Sequence, residues 1–170
     1  ITHKSDVGGV VLGVQSADEV ERGFEAIAQR LAERAPSARF VGVLVQKMVV
    51  RPQGRELIVG LARDQNFGPV VSFGMGGIAV EIFKDSALAL PPLNAFLARE
   101  LISRTRVARM LDAFRGAPAV DLDKLIEVLL RVSELACEIP AVRELDINPL
   151  LADEHGVIAL DARVLVSDAP

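Results

Sequence analysis

The chain of 170 residues contains a single cysteine, Cys137, which rules out an internal disulfide framework or a thiolate metal site. Cys137 lies in a predicted helix, where we expect it to be part of the core. Charged residues, proline or glycine interrupt every apolar stretch well before the roughly 18 residues that a membrane-spanning helix requires. The 19 lysines and arginines are scattered rather than grouped, which argues against nucleic acid or anionic lipid as a partner. These absences favour a cytoplasmic protein with no nucleic-acid or membrane partner.

The residues that are present are typical of a globular domain. Hydrophobic residues make up 51% of the chain and charged residues 25%, with a net charge of −4, and this composition excludes an intrinsically disordered chain. The length suffices for one buried core or two small lobes. The sequence begins at Ile1 without a methionine or a signal segment, so we expect it to be a piece of a longer protein.

The first 50 residues predict a strand, a helix and a second strand. Residues 10–14 are an apolar run, and residues 40–50 are mostly apolar and rich in strand-forming side chains. Ser16 precedes Glu19 by three residues, which is the spacing of a helix capping box. An apolar stripe at helical spacing follows and ends at Pro36.

The remaining residues predict an antiparallel sheet with packed helices. Alternation places Leu57, Val59 and Leu61 on one face of the first strand of this part. We therefore expect an α+β fold with a mainly antiparallel sheet. The predicted strands are residues 56–64 and 70–73, which form a hairpin, and residues 78–83, 142–151 and 157–166. The predicted helices are residues 93–105, 106–114 and 121–137, and residues 85–92 are a predicted connection.

The C-terminal hairpin carries the clearest geometric prediction. Alternation places Asp146 and Asn148 on one face of its first strand. The second strand is apolar along one face, which turns Asp161 and Arg163 the other way. With a four-residue loop from 153 to 156, the numbers of paired residues sum to 309, so Asn148 lies opposite Asp161 with Cβ atoms roughly 5 Å apart.

Two carboxylates and an amide oxygen at that spacing suit Mg²⁺, which keeps several waters and shares its other ligands with phosphates. An alternative is a solvated polar face on which Asp146 forms an ion pair with Arg163. Pro149 follows Asn148 directly and lacks a backbone donor, which predicts a strand edge or a bulge at this point.

Two glycine-containing loops are weaker candidates for phosphate binding. Lys4 with Gly8 and Gly9 could bring a cation and backbone N–H groups to phosphate oxygens, and residues 74–77 form a second glycine-rich loop. Neither matches the Walker or dinucleotide pattern, and such loops are more often plain turns. His3 could accept a phosphoryl group or act as a base, although a terminal histidine is usually inert.

Several strings, taken in order, resemble one known family. They are HKSDVGGV (3–10), QKM (46–48), ELIVG (56–60), RD (63–64), FGPV (67–70), FGMGG (73–77), VE (80–81) and LDINPL (145–150). Together they are similar to the ATP-grasp domain of NDP-forming acyl-CoA synthetases. That family includes ADP-forming acetyl-CoA synthetase and is similar to the β subunit of succinyl-CoA synthetase.

The resemblance implies a two-lobed, α/β ATP-grasp fold that is truncated at its N-terminus. Residues 1–50 would be the remainder of the N-terminal lobe, with a phosphate loop, a helix and a hinge strand, and residues 51–170 the C-terminal lobe with the Mg-nucleotide site. ATP or ADP would be held between the lobes. The implied nucleotide-binding residues are Lys4, Gly8, Gly9, Gln46, Lys47, Met48 and Glu56. The implied metal ligands are Asn148, Asp161 and Asp146, and the implied catalytic residues are His3 and Asp146.

The implied reaction converts acyl-CoA, NDP and phosphate into a carboxylic acid, CoA and NTP through an acyl phosphate and a phosphohistidine. Positioning and charge supply most of the catalysis in such phosphoryl transfers. The CoA-binding and ligase domains would belong to the same chain or to an α subunit, so CoA and the acid would bind outside this chain. The family's principal ATP lysine lies upstream of His3, so we expect the 170 residues alone to bind nucleotide poorly.

The resemblance leaves two alternatives. One is a regulatory ATP-grasp-like module, for example in a synthetase-like protein fused to a lysine acetyltransferase, which would sense a ligand without turnover. The presence of His3, Asn148 and Asp161 favours the enzyme, since a decayed module would be free to lose them. The other is a biosynthetic ATP-grasp ligase that does not use CoA, and the FGMGG and HKSD strings argue against it.

Overall fold

The chain forms two compact units, residues 1–50 and residues 51–170. A computed structural model describes residues 7–77, 85–114 and 116–167. Within these ranges no helix is long and apolar enough to cross a membrane.

Helix α1 (Ala17–Arg34) is the regular element of the first unit's described part. The hydroxyl of its N-cap residue, Ser16, accepts the N–H of Glu19 at 3.2 Å, and the carboxylate of Glu19 accepts the N–H of Gln15 at 2.7 Å. The N-cap bond of the predicted capping box is therefore confirmed, whereas the carboxylate of Glu19 bonds to the residue before the N-cap instead of to Ser16 itself. The ring of Phe24 on this helix packs against Phe40, with ring centroids 5.4 Å apart.

Residues 10–14 and 40–50 were predicted as strands and form no β-ladder within the described part of the chain. Their apolar side chains remain accessible; Val41 is 85% exposed and Leu44 is 81% exposed. The prediction is wrong for these segments because strand propensity reflects packing and pairing against a neighbour. In the described part of this unit the two segments have no such neighbour.

The described part of the second unit contains one six-stranded sheet and three helices. The strands are β1 (Arg55–Asp64), β2 (Gly68–Met75), β3 (Ser86–Ala89), β4 (Val142–Asp153), β5 (Gly156–Ala159) and β6 (Ala162–Val166). The helices are α2 (Ala95–Ser103), α3 (Ala108–Leu111) and α4 (Leu122–Glu138). The strand order is β3-β2-β1-β4-β5, β6 also pairs with β4, and every pairing is antiparallel. The predicted α+β class with an antiparallel sheet is confirmed.

The core lies between one sheet face and the helices. Leu57, Val59 and Leu61 are buried, as alternation predicted, and they pack with the buried stripe of α4. The N-cap of that helix is Asp121, whose carboxylate accepts the N–H of Lys124 at 3.0 Å. The largest buried side chains elsewhere in this core are Phe73, Leu101, Leu125, Leu129, Leu150 and Val71.

Cys137 is exposed, so its predicted place in the core is wrong. On α4 the buried stripe runs through Leu125, Leu129, Val132 and Ala136. The next residue is rotated by about 100° around a helix with 3.6 residues per turn, which turns Cys137 away from the core.

Three other predicted elements differ from the structure. Residues 86–89 form β3, which pairs with β2 where a plain connection was expected. The predicted helix 106–114 is reduced to the single turn α3, and the predicted strand 157–166 is divided into β5 and β6. The predicted strand 78–83 lies outside the described residues.

Charged side chains hold both ends of α3. The carboxylate of Asp85 accepts the N–H groups of Arg106 and Val107, each at 2.7 Å. The buried guanidinium of Arg55 donates to the carbonyl of Met110 at 2.8 Å and to three other backbone carbonyls. A negative charge therefore lies at the start of the turn and a positive charge at its end, as a helix dipole favours.

Candidate functional site

The pairing of β4 with β5 and β6 has the predicted register. Asp153 pairs with Gly156, and Asp146 pairs with Arg163, so the paired numbers sum to 309 on both sides of the division between β5 and β6. At the division itself, the N–H of Asn148 donates to the carbonyl of Asp161 at 3.2 Å. The backbone pairing predicted for Asn148 and Asp161 is therefore confirmed.

A β-bulge on β4 places Asn148 out of the regular ladder. The register between β1 and β4 shifts by one residue between Leu57 and Val59, so Asn148 and Pro149 together oppose Ile58. A bulge bends the strand and re-aims the side chain that it carries. The irregularity predicted from Pro149 is present.

The side chain of Asn148 is held by the glycine-rich segment. The backbone N–H of Gly77 donates to Oδ1 of Asn148 at 3.0 Å. Because an N–H group needs an acceptor, this contact identifies the oxygen of the amide and fixes its orientation. The N–H of Gly76 donates to the carbonyl of Glu56 at 2.8 Å, so Glu56, Gly76, Gly77 and Asn148 form one cluster beside the bulge.

The predicted glycine loop 74–77 is tightly packed. A Cβ atom added to Gly74 would collide with the backbone of Asp85, and one added to Gly76 would collide with the backbone of Leu57. The glycines thus allow a close approach of two backbone segments. These positions match the plain structural alternative to a phosphate loop.

Asp146 has an unusual electrostatic environment. Partial burial raises the pKa of its carboxyl group, the guanidinium of Arg163 opposes that shift, and the carboxylate of Asp161 adds to it. None of the ion pairs of the described residues joins Asp146 to Arg163. A cation bound near the two carboxylates would relieve their repulsion and favour the ionised form of Asp146.

The oxygen donors near the bulge suit an open Mg²⁺ site better than a metal site whose ligands all come from the protein. Asn148, Asp161 and Asp146 offer hard oxygen atoms. Asn148 and Asp146 lie two residues apart on β4, and the backbone of Asn148 is bonded to Asp161, which lies between β5 and β6. Within the described ranges, no group of three or more His, Cys, Asp or Glu side chains is arranged to hold a metal. Two carboxylates and an amide would leave room for waters or phosphate oxygens, which Mg²⁺ commonly retains.

A row of cross-strand partners crosses the sheet face opposite the core. It runs through Leu88, Ser72, Gly60, Asp146 and Arg163, one residue from each of five strands. The hydroxyl of Ser72 lies where a side chain on Gly60 would begin. Sequence reasoning missed Ser72 as a neighbour of the site, because a single serine in an apolar strand gives no signal; only the three-strand register places it there.

Predicted site residues at the start of the chain lie in the first unit or outside the described residues. His3 and Lys4 lie outside them. Gly8 is in a turn with φ of +71°, and its carbonyl accepts a hydrogen bond from the guanidinium of Arg30 at 3.3 Å. Gly9 follows it and is partly exposed. Sequence reasoning missed Arg30, because it stands 22 residues away on α1.

The predicted hinge residues have no regular structure. Gln46, Lys47 and Met48 are exposed and lie in a segment without strand pairing. Glu56 lies at the start of β1 in the second unit and is also exposed. In the second unit the structure therefore brings Glu56 to the same cluster as Asn148.

Comparisons with known proteins agree on one family. The family model described as the ATP-grasp domain matches residues 1–166. Acetate–CoA ligase [ADP-forming] I of Archaeoglobus fulgidus is 42% identical over 168 residues, which cover 99% of this chain and 24% of that protein. The β subunit of acetate–CoA ligase [ADP-forming] I of Pyrococcus furiosus is 40% identical over 166 residues, which cover 98% of this chain and 71% of the subunit.

A solved structure gives the same picture. Dinucleotide forming acetyl-coenzyme A synthetase 1 of Ca. Korarchaeum cryptofilum, in complex with coenzyme A and Mg-AMPPCP, superposes with a TM-score of 0.82 at 34% identity. The match covers 97% of this chain and 71% of that one. In the Korarchaeum structure the phosphohistidine segment points towards the nucleotide binding site. The chain thus spans about a quarter of the Archaeoglobus relative.

Proposed function

Because this chain belongs to the ATP-grasp domain family, we propose that it is the nucleotide-binding part of an NDP-forming acyl-CoA synthetase. In the whole enzyme it transfers a phosphoryl group between a phosphohistidine and ADP or ATP. The observation that carries the proposal is the backbone hydrogen bond between Asn148, which lies in the bulge of β4, and Asp161. The likeness to ADP-forming ligases and to a synthetase complex with Mg-AMPPCP supports it.

Asn148, Asp161 and Asp146 are the residues proposed to hold Mg²⁺. When bound, the ion supplies positive charge to phosphate oxygens during transfer. The chain's own contribution is proposed to be geometric, and the β4 register and the bulge beside these residues support that role. Such preorganisation avoids reorganisation during the reaction.

The remaining roles come from the family. His3 is proposed to relay the phosphoryl group, with Asp146 as the second catalytic residue. The nucleotide is proposed to contact Lys4, Gly8, Gly9, Gln46, Lys47, Met48 and Glu56.

The substrates other than nucleotide are proposed to bind elsewhere in the whole enzyme. CoA and the carboxylic acid belong to CoA-binding and ligase domains in the same chain or in an α subunit. The share of the relatives that this chain covers, 24% of one protein and 71% of a β subunit, supports this division. A cytoplasmic location is proposed from the single cysteine.

The proposal is tested in the full-length protein with acyl-CoA, ADP and phosphate, using acids of different size. We expect Mg²⁺-dependent formation of ATP. We expect Asn148→Ala and Asp161→Ala each to lower that activity by at least about 10-fold, the lower end of what losing a metal-site partner costs. Both positions are at the sheet surface, so the melting temperature should stay near that of the wild type.

Asp123→Ala is the matched control. Asp123 is also a carboxylate of this unit, its side chain is 86% exposed, and its ion pair with Arg99 lies on the helices. We expect wild-type turnover in this variant. Wild-type turnover in both Asn148→Ala and Asp161→Ala would reduce the cluster to a polar sheet face and overturn the proposal.

A further inference from the structure

We propose that Gly77 is a positioning residue, whose backbone N–H holds the Asn148 amide oxygen ready for a divalent cation. This inference rests on the proposed function, because Asn148 matters only if it is a ligand. Gly77 itself does not touch the cation. It acts through the 3.0 Å hydrogen bond to Oδ1 of Asn148.

The donor is fixed by neighbouring backbone contacts. The N–H of Met75 donates to the carbonyl of Asp85 at 3.0 Å, and the N–H of Gly76 donates to the carbonyl of Glu56 at 2.8 Å. The two residues before Gly77 are therefore tied to elements on either side of β2. The N–H of Gly77 is held in place before Asn148 meets it.

Two hydrogen bonds fix Asn148, whose side-chain oxygen is the acceptor. The N–H of Asn148 is bonded to the carbonyl of Asp161, and the side-chain oxygen is bonded to Gly77. An amide oxygen has two lone pairs, so one remains available for a cation while the other accepts the N–H. Without Gly77 the amide could rotate and present its NH₂ group, which cannot bind a cation.

Only glycine fits at this position. Gly77 has φ of +67°, and a Cβ atom there would collide with the carboxylate of Glu56. Any side chain would therefore displace either the Gly77 backbone or Glu56. Contacts that orient a metal ligand are typically worth 10- to 100-fold in metal affinity.

The test measures Mn²⁺ binding by electron paramagnetic resonance in the full-length protein with ADP, where no turnover occurs. We expect Gly77→Ala to weaken Mn²⁺ binding by about 10-fold or more. Asn148→Asp should stay within about 3-fold of the wild type, because a carboxylate also accepts the N–H and binds a hard cation.

Gly68→Ala is the matched control. Gly68 has a similar φ of +74°, but nothing lies within 4 Å of an added Cβ atom. Both alanine variants carry similar backbone strain, so a loss of Mn²⁺ affinity confined to Gly77→Ala excludes strain alone as its cause. The hydrogen-exchange measurement below then separates the contact with Asn148 from a displacement of Glu56. Equal losses in the two variants would overturn the inference.

Amide hydrogen exchange supplies a second measurement that needs no alanine at Gly77. In Asn148→Ala we expect the Gly77 amide to exchange at least about 10-fold faster, while the Gly76 amide, bonded to Glu56, stays slow. An unchanged Gly77 rate would overturn the inference even if Gly77→Ala fails to fold.

The two proposals fail in different ways. Unchanged Mn²⁺ affinity in both Asn148→Ala and Asp161→Ala would overturn the metal site and with it the proposed function. Weak binding in Asn148→Ala together with wild-type binding in a folded Gly77→Ala would leave the proposed function intact and overturn only the role of Gly77.

Discussion

At the scale of single residues, Asp146 carries a carboxylate at a position where partial burial disfavours its charge. Its pKa is raised from the ordinary value of 3.8, and the Arg163 guanidinium offsets only part of that shift. The native state therefore binds the proton more tightly than the unfolded chain does. The associated stability is present below the ordinary value and is lost as the pH rises through the raised one.

We expect Asp146→Asn, which stays neutral, to have a slightly higher melting temperature than the wild type at pH 7. The gain in unfolding free energy should be small, within about 0.5 kcal/mol, as for most surface changes. The difference in melting temperature should vanish as the pH falls well below 3.8. Thermal unfolding followed from pH 3 to pH 7 measures the difference in melting temperature between the variant and the wild type. A difference that grows towards acid pH would contradict a raised pKa of Asp146.

Asp64→Asn is the control with the opposite sign. The pKa of Asp64 is lowered because its carboxylate accepts the N–H groups of Phe67 and Asn66 in the β1–β2 turn. Its stability is present above the ordinary value and is lost as the pH falls through the lowered one. We expect Asp64→Asn to melt below the wild type at pH 7, with the difference vanishing in acid.

At the scale of secondary-structure elements, the single turn α3 depends on the buried Arg55. We expect Arg55→Met to destabilise the protein by about 3 kcal/mol or more, because four partly buried hydrogen bonds from a buried charged donor are lost together. Two of the bonds lost are those to Met110 and Pro118, at 2.8 and 2.7 Å. Urea unfolding measures the change.

Arg109→Met is the matched variant on the same turn. Arg109 is exposed, so we expect a change within about 0.5 kcal/mol. Equal losses in Arg55→Met and Arg109→Met would show that the buried hydrogen bonds of Arg55 do not stabilise the fold.

The sequence predicted elements well where local pattern and local pairing suffice. The β1–β2 hairpin, the register of β4 with β5 and β6, the irregularity at Pro149 and the N-cap of α1 all follow from neighbours close in the chain. The roles of Arg55 and Asp85 at α3 could not be predicted, because three of the four partners of Arg55 lie 55 or more residues away and those of Asp85 lie 21 and 22 residues away. The short strand β3 exists only through its pairing with β2, which no four-residue pattern reveals.

At the scale of the whole molecule, the two units differ in how much they bury. None of the described residues in 7–50 is buried, whereas the second unit has a continuous core. We expect amides of residues 40–50 to exchange rapidly and those of β1 and β4 slowly in hydrogen exchange of the 170-residue chain. Comparable protection in the two segments would contradict this and indicate pairing of residues 40–50.

The full-length protein is the matched comparison. If neighbouring parts of the full-length protein supply a pairing partner, residues 40–50 become protected there while β1 and β4 are unchanged. The candidate site follows the same division by unit. Its predicted metal residues lie close together within the second unit. The roles of its predicted residues in the first unit stay predictions.

The central β1–β4 pair also has a consequence for how the protein is made. Arg55 pairs with Ala152, and Ala62 pairs with Glu144, so the partners are 97 and 82 residues apart. At a synthesis rate of about 5–20 residues per second, β1 waits roughly 5–20 s for its partner. During that wait its unpaired edge can join the wrong strand. The nascent chain therefore exposes this edge to pairing with another chain until β4 emerges.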